Sequence, residues 1–232
     1  MNLTKWSNAI ILCCGAQVAG AKARARMDKN VAKPSIRAEN ERGILAAAEA
    51  VFAEQGYGGA TMAAIAARAG VPKPNVHYYF PTKERLYRAV IERVLNAWLA
   101  AAAAFDASDD PIEALTSYIS AKMDLARAMP LGSKIWASEI MRGAPAIQDF
   151  LDTTLTQWVR SRERTIRRWI AAGKLKPIEP RILLYAIWAT TQQYANAAHE
   201  IATLENGELS DAAFERAKRE IVDIILGGVI AP

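Results

Sequence analysis

Between residues 44 and 227, apolar side chains recur at intervals of three and four, and each run stops at a glycine or a proline. That interval places the apolar residues on one face of an α-helix. No stretch of useful length alternates apolar and polar residues as a half-buried strand does, and no internal repeat is visible. The expected fold is therefore all-α, with about nine helices. Alanine makes up about one residue in five, which favours the same outcome.

The first helix is expected over 38–55, where Ile44, Leu45, Ala48, Val51 and Phe52 form its stripe and Gly56 ends it. Thr61 is a candidate N-cap for a short second helix carrying Met62, Ile65, Ala66 and Ala69, which stops at Gly70. Pro72 and Pro74 fall in the opening turn of a third short helix, where a missing N–H costs little, and Pro81 closes it. A longer helix opens at Thr82 and runs toward Phe105. Further helices are expected at about 111–129, 133–141, 146–172, 178–204 and 211–227.

Charge divides the chain unevenly. The 232 residues carry a net +5, but residues 1–95 hold 14 Lys+Arg against 7 Asp+Glu, and the remainder holds 15 against 17. A basic first part on a mildly acidic body points to a polyanion-binding module. The two cysteines, Cys13 and Cys14, are adjacent, so no disulfide framework supports the body, which fits a reducing, cytoplasmic setting. Ala9 to Gly20 is apolar but shorter than the roughly 20 residues a bilayer span needs. Three readings stand for this start: a mis-assigned initiator with Met27 the true one, a flexible extension, or an export signal. The basic run after Met27, broken by Pro34, is either an arm for a phosphate backbone or a solvated tail. The expected organisation is an extension over 1–37, a helix-turn-helix domain over 38–84 and a second helical domain over 85–232.

Residues 61–80, TMAAIAARAGVPKPNVHYYF, have the geometry of a helix-turn-helix. Ala66 is small where two helices cross, and Val71 fills the turn. The third helix offers Lys73, Asn75, His77 and Tyr78, polar side chains suited to base edges and phosphates. His77 is equally readable as a polar core residue. Tyr79 and Phe80 fit packing beneath the helix, Lys83 a backbone phosphate, and Glu84 a cap or an ion pair.

The spacing of Ala48, Phe52, Gly56, Thr61, Ile65, Ala66, Ala69-Gly70-Val71, Tyr79-Phe80, Lys83-Glu84 and Leu86 resembles the DNA-binding domain of TetR-type transcriptional regulators. His77 departs from the Tyr or Leu usual there. The resemblance implies a homodimeric repressor binding a palindromic operator in double-stranded DNA, with a helical domain for effector binding and dimerisation. The implied seam uses the last two long helices through Ile182, Tyr185, Ala186, Ala189, Phe214, Ile221, Ile224 and Ile225.

Trp98, Trp136, Trp158, Trp169, Trp188, Tyr118, Tyr185 and Tyr194 all follow the helix-turn-helix, and most of them fit a helical core or a dimer seam. Trp188 and Gln192 are four apart and share a helix face. An indole beside a carboxamide suits a planar heterocycle with an imide or lactam edge. The segments around Trp98, SKIW…EIMRGAP at 133–145 and WATTQQYANAAHE at 188–200 resemble the RutR-like, pyrimidine-responsive branch of that family. This implies a uracil or thymine effector held by Trp98, Trp188 and Gln192, with Tyr194 a further lining residue, and control of a pyrimidine or related nitrogen catabolic operon. The alternative is a sensor of another aromatic or drug-like effector controlling efflux or catabolism.

No catalytic constellation, metal-ligand spacing or glycine-rich phosphate loop is visible, so neither an enzyme nor a cofactor is expected. His199 suits a helix end. The run Arg160, Arg162, Arg164, Arg167, Arg168 reads as a solvated helix face. No membrane partner is expected.

Overall fold

The computed structural model describes residues 36–106 and 108–231. The expectations for Met27, the Ala9–Gly20 stretch, the cysteines and the basic arm lie outside these residues. The fold is all-α. The N-terminal helices are α1 (Ile36–Gly59), α2 (Met62–Ala69), α3 (Lys73–Tyr79) and α4 (Lys83–Ala101), with a 3₁₀ turn over Ala102–Asp106. Then come α5 (Pro111–Ala128), α6 (Pro130–Met141), α7 (Gln148–Phe150), a π-turn over Leu151–Leu155 and α8 (Thr156–Ala171). The chain closes with α9 (Pro180–Asn196), α10 (Ala198–Leu204) and α11 (Asp211–Val229). An isolated antiparallel bridge joins Leu175 to Ile230.

Most boundaries follow the punctuation of the sequence. Gly56, at φ 67°, breaks α1, and one further turn follows. The helix α6 starts at Pro130, because a proline at the first helical position gives up only an amide with no intrahelical partner. Two differences stand out. The expected helix over 178–204 is broken at Ala197 (φ −107°, ψ 25°), where no glycine or proline marks the bend. The expected helix over 146–172 contains the π-turn, which shifts the face α8 presents relative to α7.

Residues 40–232 form one compact unit with two hydrophobic cores. The first joins Ile44, Ala48, Val51 and Phe52 of α1 to Ile65, Ala66, Val76 and Phe80, to Leu86, Tyr87, Val90 and Ile91 of α4, and to Ile135 of α6. The second is built on α5, with Leu115, Tyr118, Ile119 and Met123 against Ile166 and Trp169 of α8, Leu183, Leu184 and Ile187 of α9, and Phe214 and Ile221 of α11. The arginine run on α8, expected to be a solvated helix face, is one only in part. Arg160 and Arg164 are exposed, Arg167 pairs with Glu179 and Arg168 with Asp109, while Arg162 is buried near the rings of Phe105 and Trp158.

Gly132 is the tightest approach between α6 and α4. A Cβ there would lie 2.5 Å from Val94 Cγ2 and 3.0 Å from Glu49 Oε1. Glu49, nearly buried on α1, pairs with Arg93 of α4, so the neighbours have little room to yield. We predict that Gly132→Ala destabilises the protein by about 1–3 kcal/mol, the usual cost of overpacking. Chemical denaturation checks this; an unchanged unfolding midpoint would contradict the close approach.

Candidate functional site

Two sites emerge, one on the surface of α3 and one inside the helical body. At the surface, the Thr61 hydroxyl accepts the Ala64 amide hydrogen bond (3.1 Å) and caps α2. Gly70, at φ 67°, ends that helix and lets the Val71 N–H reach the Ala66 carbonyl (3.1 Å). Ile65, Ala66, Val76 and Phe80 bury the inner faces of α2 and α3. This packing leaves Lys73, Asn75, His77 and Tyr78 exposed, with Tyr79 half-buried behind them. His77 is thus a surface residue rather than a polar core residue. Its Nδ1 lies 3.2 Å from the Pro81 carbonyl oxygen, so it donates there and turns Nε2 outward.

Lys83 is engaged within the protein. Its ammonium does not extend as a free phosphate contact. It donates to the carbonyls of Tyr57 (2.8 Å) and Ala60 (3.0 Å) and sits 4.5 Å from the centre of the Tyr57 ring. Helix ends leave carbonyls without intrahelical partners, and the break at Gly56 creates such a set beside α4. Lys83 therefore fastens the α1–α2 turn to the start of α4.

The internal site is a cavity of about 110 Å³ between the two cores. Leu95, Trp98, Trp136 and Phe150 border it from the first core, and Tyr118, Trp158 and Trp188 from the second. Lys122 and Gln192 add polar groups to the wall. Trp98 and Trp136 meet edge-to-face at 5.3 Å, and Trp158 and Trp188 lie tilted at 6.0 Å. The Trp188 indole N–H donates to the Tyr118 hydroxyl oxygen at 2.8 Å. Burial raises the Tyr118 pKa, so this phenol stays protonated. The Gln192 amide N–H₂ donates weakly to Asn196 Oδ1 at 3.4 Å. The structure thus brings Trp98, Trp188 and Gln192 to one wall.

Tyr194 is not on that wall. It packs edge-on against Phe214 of α11, with ring centres 6.0 Å apart. Two residues beyond Gln192, it is rotated about 200° around the helix and must face elsewhere. Of the residues expected at the seam, Phe214 and Ile221 are buried within the second core.

Lys122 has no counterpart in the sequence reading. Its side chain is 6% exposed and its Nζ lies 4.2 Å above the Trp98 ring centre. It makes no ion pair among the described residues. Burial lowers its pKa to about 8. A cation–π contact returns about 2 kcal/mol when desolvated, against a burial penalty of several kcal/mol per ion. One sequence feature marks it: Lys122 follows Leu115, Tyr118 and Ile119 at helical spacing, a charge on an otherwise apolar face.

Residues 44–90 match the family described as bacterial regulatory proteins, tetR family, and residues 91–232 match the YcdC-like protein C-terminal region. The chain belongs to the TetR family. The border between the two matches falls inside α4, a helix of the first core. It is 37% identical over 190 residues to the HTH-type transcriptional regulator RutR of Escherichia coli strain K12, covering 82% of this chain and 90% of that protein. The RutR of Shigella flexneri matches to the same extent. The fold is similar to that of the ketosteroid transcriptional regulator KstR2 of Mycobacterium tuberculosis, at a TM-score of 0.66 and 20% identity, covering 83% of this chain and 95% of that one. It also resembles AibR, solved with isovaleryl coenzyme A and operator DNA, at a TM-score of 0.64 and 18% identity over 80% and 97% of the two chains. This TetR-family protein is RutR-like, a transcriptional regulator and not an enzyme. No helix of the described residues is long and apolar enough to cross a membrane.

The buried Lys122 carries a prediction for the protein without effector. The unfolded chain keeps this proton up to about 10.5, the ordinary value, whereas the folded chain releases it from about 8. The unfolded state binds more protons in that window, so stability rises with pH there and the buried ammonium costs stability below it. Lys122→Met should therefore raise the melting temperature at neutral pH, by about 2–4 °C per kcal/mol regained. The gain should fade as the pH approaches 10.5. A lowered melting temperature at neutral pH would show that Lys122 already has a partner.

Proposed function

We propose that this regulator is a homodimeric repressor of a catabolic operon, released or engaged by a small planar effector of the uracil or thymine type. The observation that carries the effector is the cavity itself: indoles at Trp98 and Trp188 with the Gln192 carboxamide between two cores. Its 110 Å³ is of the same order as the roughly 150 Å³ engineered cavity that admits benzene. Drug-sized ligands occupy about 300–1,000 Å³, which weighs against the drug-like alternative. The indole faces would cover a pyrimidine ring, and the amide would pair with its alternating N–H and C=O edge. A site built this way discriminates against rings lacking that edge, because its buried polar groups would be left unpaired.

The DNA-binding reading rests on the exposed face of α3. Lys73, Asn75, His77 and Tyr78 supply the polar groups, and Thr61 at the start of α2 adds a hydroxyl near a helix N-terminus. Dimerisation places two such helices in successive major grooves, about 34–36 Å apart. On α9, Ile182, Tyr185, Ala186 and Ala189 share one face and all are exposed, and Ile224 of α11 is 73% exposed. An apolar stripe of this kind fits a two-fold seam with a second copy of the chain.

Three measurements test this function. Operator sequences selected from a random duplex pool should show a palindrome, and Lys73→Ala or Asn75→Ala should weaken binding to it about tenfold to a hundredfold, the value of a good base contact. Retained affinity in both variants would remove α3 from the interface. Uracil or thymine should raise the melting temperature, and Gln192→Leu should abolish that rise while leaving operator binding intact; no rise with the unaltered protein rejects the effector class. Sedimentation should find Tyr185→Asp monomeric where the unaltered protein is a dimer, and a dimeric variant would place the seam elsewhere.

A further inference from the structure

We propose that Lys122 is the charge-selecting group of the cavity, so that among planar rings of the uracil type one carrying an anionic oxygen or nitrogen binds tighter than a neutral one. This rests on the effector reading above and narrows it. The observation is a lysine nine-tenths buried on the cavity wall, set over the Trp98 face and without an ion pair among the described residues.

The other polar groups of the wall do not neutralise it. Tyr118 keeps its proton and uses its oxygen as acceptor for the Trp188 indole. Gln192 is uncharged. Among the described residues no carboxylate borders the cavity, and burial is the cause of the lowered proton affinity of Lys122. Among the described residues the cavity wall therefore holds one positive charge and no negative one. A ligand with one negative charge completes the pair and gives the ammonium the charge-assisted hydrogen bond it lacks. An anionic edge held between aromatic faces also explains why a cation is retained in an otherwise apolar space, where a methionine would pack as well.

The test uses two rings of nearly one size. Uracil is neutral slightly above neutrality, while 6-azauracil, which replaces one ring C–H by nitrogen, is largely the anion. Calorimetric titration of the full chain with each ring is expected to show 6-azauracil binding at least about tenfold tighter. In Lys122→Met that preference should fall to within about twofold while uracil still binds, because only the charged pair is removed. Lys122→Gln serves as the second variant, keeping a hydrogen-bond donor without the charge, and should lose the preference equally. If uracil binds and 6-azauracil binds no tighter, or if Lys122→Met and Lys122→Gln keep the preference, the charge-selecting role is overturned while the effector reading stands. If neither ring binds the unaltered protein, the effector reading fails and this proposal falls with it.

Discussion

The packing of α4 binds the molecule together. Its first half buries Leu86, Tyr87, Val90 and Ile91 in the core that supports the recognition helix α3. Its second half carries Trp98 to the cavity wall, and the following turn sends Phe105 into the second core. One helix of the first core thus runs directly into the turn that enters the second. Because interiors are packed as densely as organic crystals, a displacement of its cavity end cannot be absorbed locally.

Polar contacts fix where such a displacement would be felt. The Tyr87 hydroxyl donates to Glu139 Oε2 at 3.1 Å, and Glu139 Oε1 accepts the Ala146 amide at 2.6 Å. Arg88 donates to both carboxylate oxygens of Asp149, at 3.0 and 2.6 Å. These contacts tie the middle of α4 to α6 and α7, elements that also border the cavity through Trp136 and Phe150. An effector shifts operator affinity only through a difference in its own affinity for the two arrangements of the body. Groups of both cores contribute to the cavity wall, so a ligand there touches both sides.

The helix-turn-helix was almost fully legible in the sequence. Its geometry rests on local rules: a threonine cap, a glycine in the left-handed region at Gly70, and apolar residues at fixed offsets. The pairing of Trp188 with Gln192 was legible for the same reason, because four residues along one helix share a face. What stayed hidden depended on contacts distant in sequence. Lys83 finds carbonyls 26 and 23 residues away, and no local pattern foretells that. Phe214 and Ile221 lie on an apolar stripe that fits either a dimer seam or the chain's own core, and periodicity does not choose between them. Tyr194 was misplaced by proximity in sequence to Gln192, although helical rotation separates the two. Lys122 carried a legible sign, a charge at a core position, which acquires meaning only once the cavity beside it is seen.

Thermodynamic linkage gives the central claim, that the cavity between the cores governs the DNA-binding face, its most direct test. The dissociation constant of uracil would be measured twice, on the free protein and on the protein saturated with its selected operator duplex. If cavity and recognition helix are coupled through α4, the two constants differ by about fivefold or more, the usual range of coupling between linked sites, and operator affinity changes by the same factor when uracil is saturating. Equal constants in the two titrations would contradict the coupling, leaving a ligand site and a DNA-binding surface that share a molecule without communicating.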